Sequence, residues 1–123
     1  MVLVDTSVWI DHLQRGNPEL AALLNRGQVL VHPFVIGELA LGSLQQRTQI
    51  LIALQNLPTA TQATDAEVQG FISVNTLYGI GIGYVDAHLL AATRLTPAAQ
   101  LWTLDKRLQV AAAGLGLVFT LNH

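Results

Sequence analysis

Cysteine is absent from the 123-residue chain, which excludes disulfide bonds and every metal site built on thiolates. Basic residues are scarce as well. Six Lys and Arg against eight Asp and Glu leave a net charge of −2, too little positive charge to capture nucleic acid over a broad surface. Any nucleic-acid contact must be local. No uninterrupted apolar run reaches the roughly 18 residues that a membrane-crossing helix needs, and the first residues lack the basic start and long apolar core of a secretion signal. A cytoplasmic protein with no membrane association is therefore expected. Charge of both signs is thin, 11% of residues against roughly 25% in an average soluble protein, whereas 51% are hydrophobic. Such an excess, concentrated in the segments 7–26 and 34–57, predicts surface left for a partner and motivates a homodimer.

The length suits a single domain spanning residues 1–123. Residues 2–5 read as a strand, with Thr6 or Ser7 capping a helix lined by Val8, Trp9, His12 and Leu13. Asn17-Pro18-Glu19 starts a second helix and Arg26-Gly27 stops it. A short apolar run at 28–31 turns at His32-Pro33 into a helical stretch, and a further helix passes through Ile50, Leu51 and Leu54. Thr64 and Glu67 have capping-box spacing before a helix expected to end at Tyr78-Gly79. After a glycine-rich segment, residues 84–95 read as a helix, 101–104 as a strand, 105–113 as a helix and 117–121 as a last strand. Strands separated by helices imply an α/β fold with a mostly parallel sheet covered on both faces.

The eight acids fall into two groups. Asp11, Glu19, Asp65 and Glu67 occupy helical or capping contexts where a carboxylate is ordinary. Asp5, Glu38, Asp86 and Asp105 instead stand in VLVDTSVW, VIGELALG, GYVDAHLL and LWTLDKRL, among residues that must be largely buried. Six basic residues cannot neutralise all four in place, since only Lys106 and Arg107 adjoin one of them. A divalent cation can. Asp5 ends one strand and Asp105 follows another, so both lie at carboxyl ends where open α/β sheets keep their ligand crevice. Asp86 opens a helix behind the glycines, and Glu38 would point in from the side. Hard oxygen donors without cysteine or a suitable histidine set select Mg²⁺ or Mn²⁺ over zinc.

Taken together, VLVDTSVWIDHL, GEL, YVDAHLLAA and TLDKRL resemble the PIN-domain ribonucleases, in particular the VapC-type toxins of toxin–antitoxin pairs, over nearly the whole chain. The resemblance implies a three-layer PIN-like α/β fold with a central, mostly parallel sheet flanked by helices. It makes Asp5, Glu38, Asp86 and Asp105 the acidic quartet, catalytic through Mg²⁺ or Mn²⁺. Thr103 becomes the supporting hydroxyl, with Thr6 or Ser7 holding Asp5. The implied activity is endoribonuclease cleavage of single-stranded or looped RNA by a metal-activated water, leaving a 5′-phosphate and a 3′-hydroxyl. The implied partners are the RNA substrate and a cognate antitoxin protein, with DNA reached only indirectly through that antitoxin.

Other features are read as ordinary. Gly79-x-Gly81-x-Gly83 lacks the spacing of a dinucleotide loop and follows a helix, so no such cofactor is expected. His88, two residues after Asp86, turns away from it on a helix, and His12 and His32 are boundary residues. Trp9 and Trp102 suit the core better than RNA stacking. Lys106 and Arg107 are the natural phosphate contacts. Two rivals compete: a receiver-like phospho-accepting domain, whose regular strand–helix alternation is broken by two successive helices within 33–58, and a PIN module that binds without catalysis. A haloacid-dehalogenase-type phosphatase would need an aspartate where Ser7 stands.

Overall fold

The computed structural model of the protein describes residues 1–121. The first strand, β1 (Val2–Val4), is apolar throughout and buried on both faces, which suits the centre of a parallel sheet. It pairs in parallel with β2 (Val29–Leu30) on one side and β3 (Gln100–Trp102) on the other, giving the order β2-β1-β3. Single parallel bridges, Val31 to Thr59 and Leu101 to Val118, extend the two edges. Since every strand runs the same way, all carboxyl ends meet at one edge. Asp5, His32 and Thr103 each stand one or two residues beyond a strand there.

Between the strands run α1 (Thr6–Arg15), α2 (Pro18–Asn25), α3 (Pro33–Leu41), α4 (Arg47–Gln55), α5 (Asp65–Val74), α6 (Tyr84–Leu95) and α7 (Lys106–Gly114). α6 is the central helix: seven consecutive residues, Ala87 to Thr93, are buried, and it packs against both β3 and α5. A helix apolar on every side must be enclosed. α1 packs on α3, and α3 on α4. The PIN-like α/β architecture expected from the sequence is the one observed. No helix of the described residues is long and apolar enough to cross a membrane.

Local chemistry explains most boundaries. Asn17 Oδ1 accepts from Leu20 N, with Pro18 in the first turn of α2. Thr64 and Glu67 form the expected reciprocal box at the start of α5. Several expectations fail. Neither Thr6 nor Ser7 caps α1; Asp5 does, so β1 ends at Val4. The α5 helix stops at Val74 rather than Tyr78, because Thr76 takes a left-handed φ of 53° that no helix tolerates. β3 stops at Trp102, and the segment 117–121 contributes one bridge instead of a strand. Leu41, expected inside, is 91% exposed at the end of α3.

His32 caps α3, its Nδ1 accepting from Phe34 N, while its Nε2 is buried without a partner among the described residues. Burial, assisted by the nearby His88, lowers its pKa from 6.5 to about 4. The unfolded chain therefore binds this proton first as pH falls. The contribution of neutral His32 is fully present above about pH 6.5 and is lost as pH drops towards 4, on the order of 2–3 kcal/mol over that window. His32→Asn, which retains a capping oxygen, is expected to be less stable at pH 7 but to lose less on acidification; urea unfolding at pH 7 and pH 4.5 measures both.

Candidate metal centre

The site begins at the end of β1. Asp5 is only 7% exposed, and its carboxylate is accommodated by three donors: Thr6 N to Oδ1 at 2.7 Å, Ser7 Oγ to Oδ2 at 2.9 Å and Thr103 Oγ1 to Oδ2 at 2.7 Å. Both hydroxyls are used twice. Thr103 Oγ1 accepts from Asp105 N at 3.0 Å, and Ser7 Oγ accepts from Leu104 N at 3.0 Å. With Asp5 N donating to Trp102 O at 2.9 Å, the ends of β1 and β3 are laced together. A buried charge thus finds compensation in hydrogen bonds before any ion is invoked.

The other three acids arrive on helices. Glu38, one turn from the end of α3, is exposed, and Thr6 Oγ1 donates to its Oε1 at 2.6 Å, tying α1 to α3. Asp105 caps α7 by accepting from Leu108 N at 3.1 Å. Asp86, in the first turn of α6, accepts from Gly83 N at 2.9 Å. Burial raises the pKa of Asp86. The Gly83 N–H draws it back, and the charges of Asp5, Asp105 and Glu38 push it up further. The four acids singled out from the sequence therefore share one field.

Among the described residues, the ion pairs are Arg15–Asp11 and His88–Asp65; neither involves the quartet. Four hard oxygen donors with no basic partner at ion-pair distance fit a divalent cation such as Mg²⁺ or Mn²⁺. Among the same residues, no three Asp, Glu or His side chains converge closely enough to enclose an ion by themselves. Such an open arrangement suits a cation that retains part of its shell for water and phosphate oxygens.

The remaining residues sort differently. Trp9 and Trp102 are buried, as expected. Lys106 is exposed at the start of α7. Arg107 instead lies across the glycine segment: a Cβ on Gly81 would sit 2.7 Å from its guanidinium, at a φ of +85°. Only glycine allows that approach. His88 turns away from Asp86, as expected, and meets Asp65 Oδ1 at 3.0 Å, the same oxygen to which Tyr84 Oη donates at 2.7 Å. Asp65 is therefore not the ordinary helix-start acid read from the sequence, since it ties α5 to the first two turns of α6. The hydrogen bonds from Tyr84 and His88 hold its carboxyl below the usual range. Phe34 and Tyr84 escaped the sequence reading, although one precedes Glu38 by four residues and the other precedes Asp86 by two.

Comparison with known proteins adds a family and two relatives. The PIN domain family matches residues 2–114. The chain is 46% identical over 117 residues to a protein of Mycobacterium tuberculosis, strain CDC 1551 / Oshkosh, named Ribonuclease VapC32, covering 95% of this chain and 94% of that protein. The protein of the same name in strain ATCC 25618 / H37Rv matches equally.

Two outcomes follow from the geometry. Thr103→Val removes a donor from buried Asp5 and an acceptor from Asp105 N, and is expected to cost about 1–3 kcal/mol in denaturant unfolding. For Asp86, the raised folded pKa means that its favourable contribution is present below the unfolded value and is lost as pH rises through the folded one. With chelator present at pH 7, Asp86→Asn should accordingly melt above the wild type, and the gap should narrow as pH falls towards the ordinary carboxyl range.

Proposed function

The chain belongs to the PIN-domain family, and from that premise we propose that it is a metal-dependent endoribonuclease toxin of the VapC type. The observation that carries the reading is the quartet itself: the charges of Asp5, Asp105 and Glu38 all bear on Asp86 at the carboxyl edge of the sheet, and among the described residues no basic residue is paired to any of the four. The relatives named ribonucleases support the substrate class. A receiver-type acceptor or a haloacid-dehalogenase-type phosphatase has no such support, and a PIN module that only binds is separated by the cleavage assay below.

In this reading the four carboxylates hold one or two Mg²⁺ or Mn²⁺ ions. A divalent cation supplies Lewis acidity towards a phosphodiester and makes water a competent attacking group near neutral pH. The protein does the positioning. Ser7 and Thr103 fix one oxygen of Asp5, and Thr6 fixes both the other oxygen, through its N–H, and Glu38, through its hydroxyl. Asp86 is held by Gly83 N at the floor, half-buried, while Glu38 and Asp105 stand at the rim, open to a long substrate. Lys106 is free to meet a phosphate at the same rim; Arg107 reaches one only by leaving Gly81. No side chain needs to act as nucleophile.

The partners follow from the same reading: an RNA substrate, a cognate antitoxin that neutralises the enzyme, and contact with DNA only through that antitoxin. Exposed Ile10, Leu41 and Ile52, on α1, α3 and α4, support a homodimer. Light scattering at micromolar concentration is expected to give twice the chain mass, and a strict monomer would remove this part of the proposal.

Asp5→Asn, Glu38→Gln and Asp86→Asn should each abolish RNA cleavage while the protein stays folded, with Asp105→Asn less affected and Glu19→Gln, at the start of α2, unaffected. Millimolar Mn²⁺ should raise the wild-type melting temperature and leave that of Asp5→Asn nearly unchanged. Equal, near wild-type cleavage by Asp5→Asn and Glu19→Gln would refute the metal-nuclease reading.

A further inference from the structure

The quartet creates a difficulty for its own substrate. RNA is a polyanion, the chain carries a net charge of −2, and four carboxylates line the place where a phosphodiester must sit. Bound cations relieve this only at the scissile group. Beyond the one phosphate that Lys106 can meet, affinity for the rest of the strand has to come from somewhere other than phosphate contacts. In single strands the alternative is the base, whose face stacks on aromatic side chains irrespective of charge.

Aromatic residues are few here, 6% of the chain; two are buried, and of the exposed ones Tyr78 is a lone ring on the loop after α5, with no aromatic neighbour among the described residues. Trp9 and Trp102 are buried, and Phe119 packs against Trp102. Phe34 and Tyr84 are different, being 39% and 44% exposed. Both abut the same buried imidazole: the ring centroids lie 4.8 Å from Phe34 to His88 and 4.7 Å from Tyr84 to His88, at interplanar angles of 61° and 87°. Asp65 Oδ1 receives both Tyr84 Oη and His88 Nε2, so the tyrosine ring is fixed at its far end as well. Exposed rings held this firmly lose little entropy when a ligand stacks on them. Their position is equally specific. Phe34 lies one helical turn before Glu38 on α3 and shares its face, whereas Tyr84, like His88, lies on the face of α6 turned from Asp86, so the two rings flank the quartet on its Glu38 side.

We propose that Phe34 and Tyr84, backed by His88, form a stacking platform that receives an unpaired base of the RNA on the Glu38 side of the acidic quartet, with Asp65 as the positioning residue. The inference rests on the ribonuclease reading. It assigns the preference for single-stranded or looped substrate to this ledge, because a base locked in a duplex cannot present its face.

The test measures binding of a fluorescein-labelled single-stranded RNA by anisotropy, with EDTA in one series and Ca²⁺ in another, alongside KM and kcat for cleavage in Mn²⁺. Phe34→Leu and Tyr84→Leu retain apolar bulk and lose the ring. Each should weaken binding and raise KM by about 5- to 150-fold, with kcat changed far less. Phe34→Trp should restore binding, and Tyr84→Phe, which keeps the ring and loses its tether to Asp65, should fall between. Abasic substitution along the RNA leaves the protein untouched. One or two positions should weaken wild-type binding by a similar factor and add nothing in the leucine variants. If the wild type cleaves RNA but no abasic position and neither leucine variant affects KM or binding, the platform is wrong while the ribonuclease reading stands. Leucine variants that lose self-association or antitoxin binding and keep RNA affinity would likewise overturn it, marking the face as a protein contact. A wild type that cleaves no RNA would fail the reading beneath it.

Discussion

The hydroxyl of Thr103 is the point at which fold and site become one structure. It donates to the buried carboxylate of Asp5 and accepts the backbone N–H of Asp105, so one atom joins the end of β1, the end of β3 and the cap of α7. Ser7 repeats the pattern one step away, between Asp5 and Leu104 N. A carboxylate buried this deeply is tolerable only when its lone pairs are matched. Because the matching groups come from residues almost a hundred positions apart, the sheet cannot shift its register without stranding that charge. The acid dictates the pairing as much as the apolar strands do.

Concentrating four acids in a chain with few bases calls for other sources of positive potential, and helix ends supply them. Asp5 and Asp105 are the caps of α1 and α7, and Asp86 lies in the first turn of α6. Three helices thus direct their amino termini at the acids, each interaction contributing about 0.3–1 kcal/mol. The compensation is partial. Asp86, half-buried and facing the other three, has its carboxyl pKa raised. Charged Asp86 therefore gives up stability at that position. The same topology lets the centre stand without a paired lysine or arginine among the described residues.

Much of this was legible in the sequence, for physical reasons that differ from element to element. β1 and Asp5 are readable because an apolar run ending on an acid has few other meanings, and α5 and α6 start where a capping box and a glycine boundary announce them. The grouping of Asp5, Glu38, Asp86 and Asp105 follows from excess: no local cation accounts for them. What stayed hidden depends on partners distant in sequence. Nothing in Asn75-Thr76 signals a left-handed threonine, and residues 117–121 look like a strand until only Val118 finds a neighbour. Asp65 reads as a plain helix-start acid because Tyr84 and His88, which define its role, are about twenty residues away. Phe34 and Tyr84 carry no motif; their exposure beside the site is a tertiary fact.

The strand order also has a consequence in time. β1 precedes β3 by almost a hundred residues and is central in the sheet, so during synthesis it waits for β3 before its second edge is covered. At about 5–20 residues per second, that wait lasts several seconds of synthesis. Until Thr103 arrives, Asp5 lacks one of its three donors, and until Asp105 arrives the quartet is incomplete. The buried carboxylate of Asp5 is therefore matched late, and the four acids come together only after residues about a hundred positions apart have both been made.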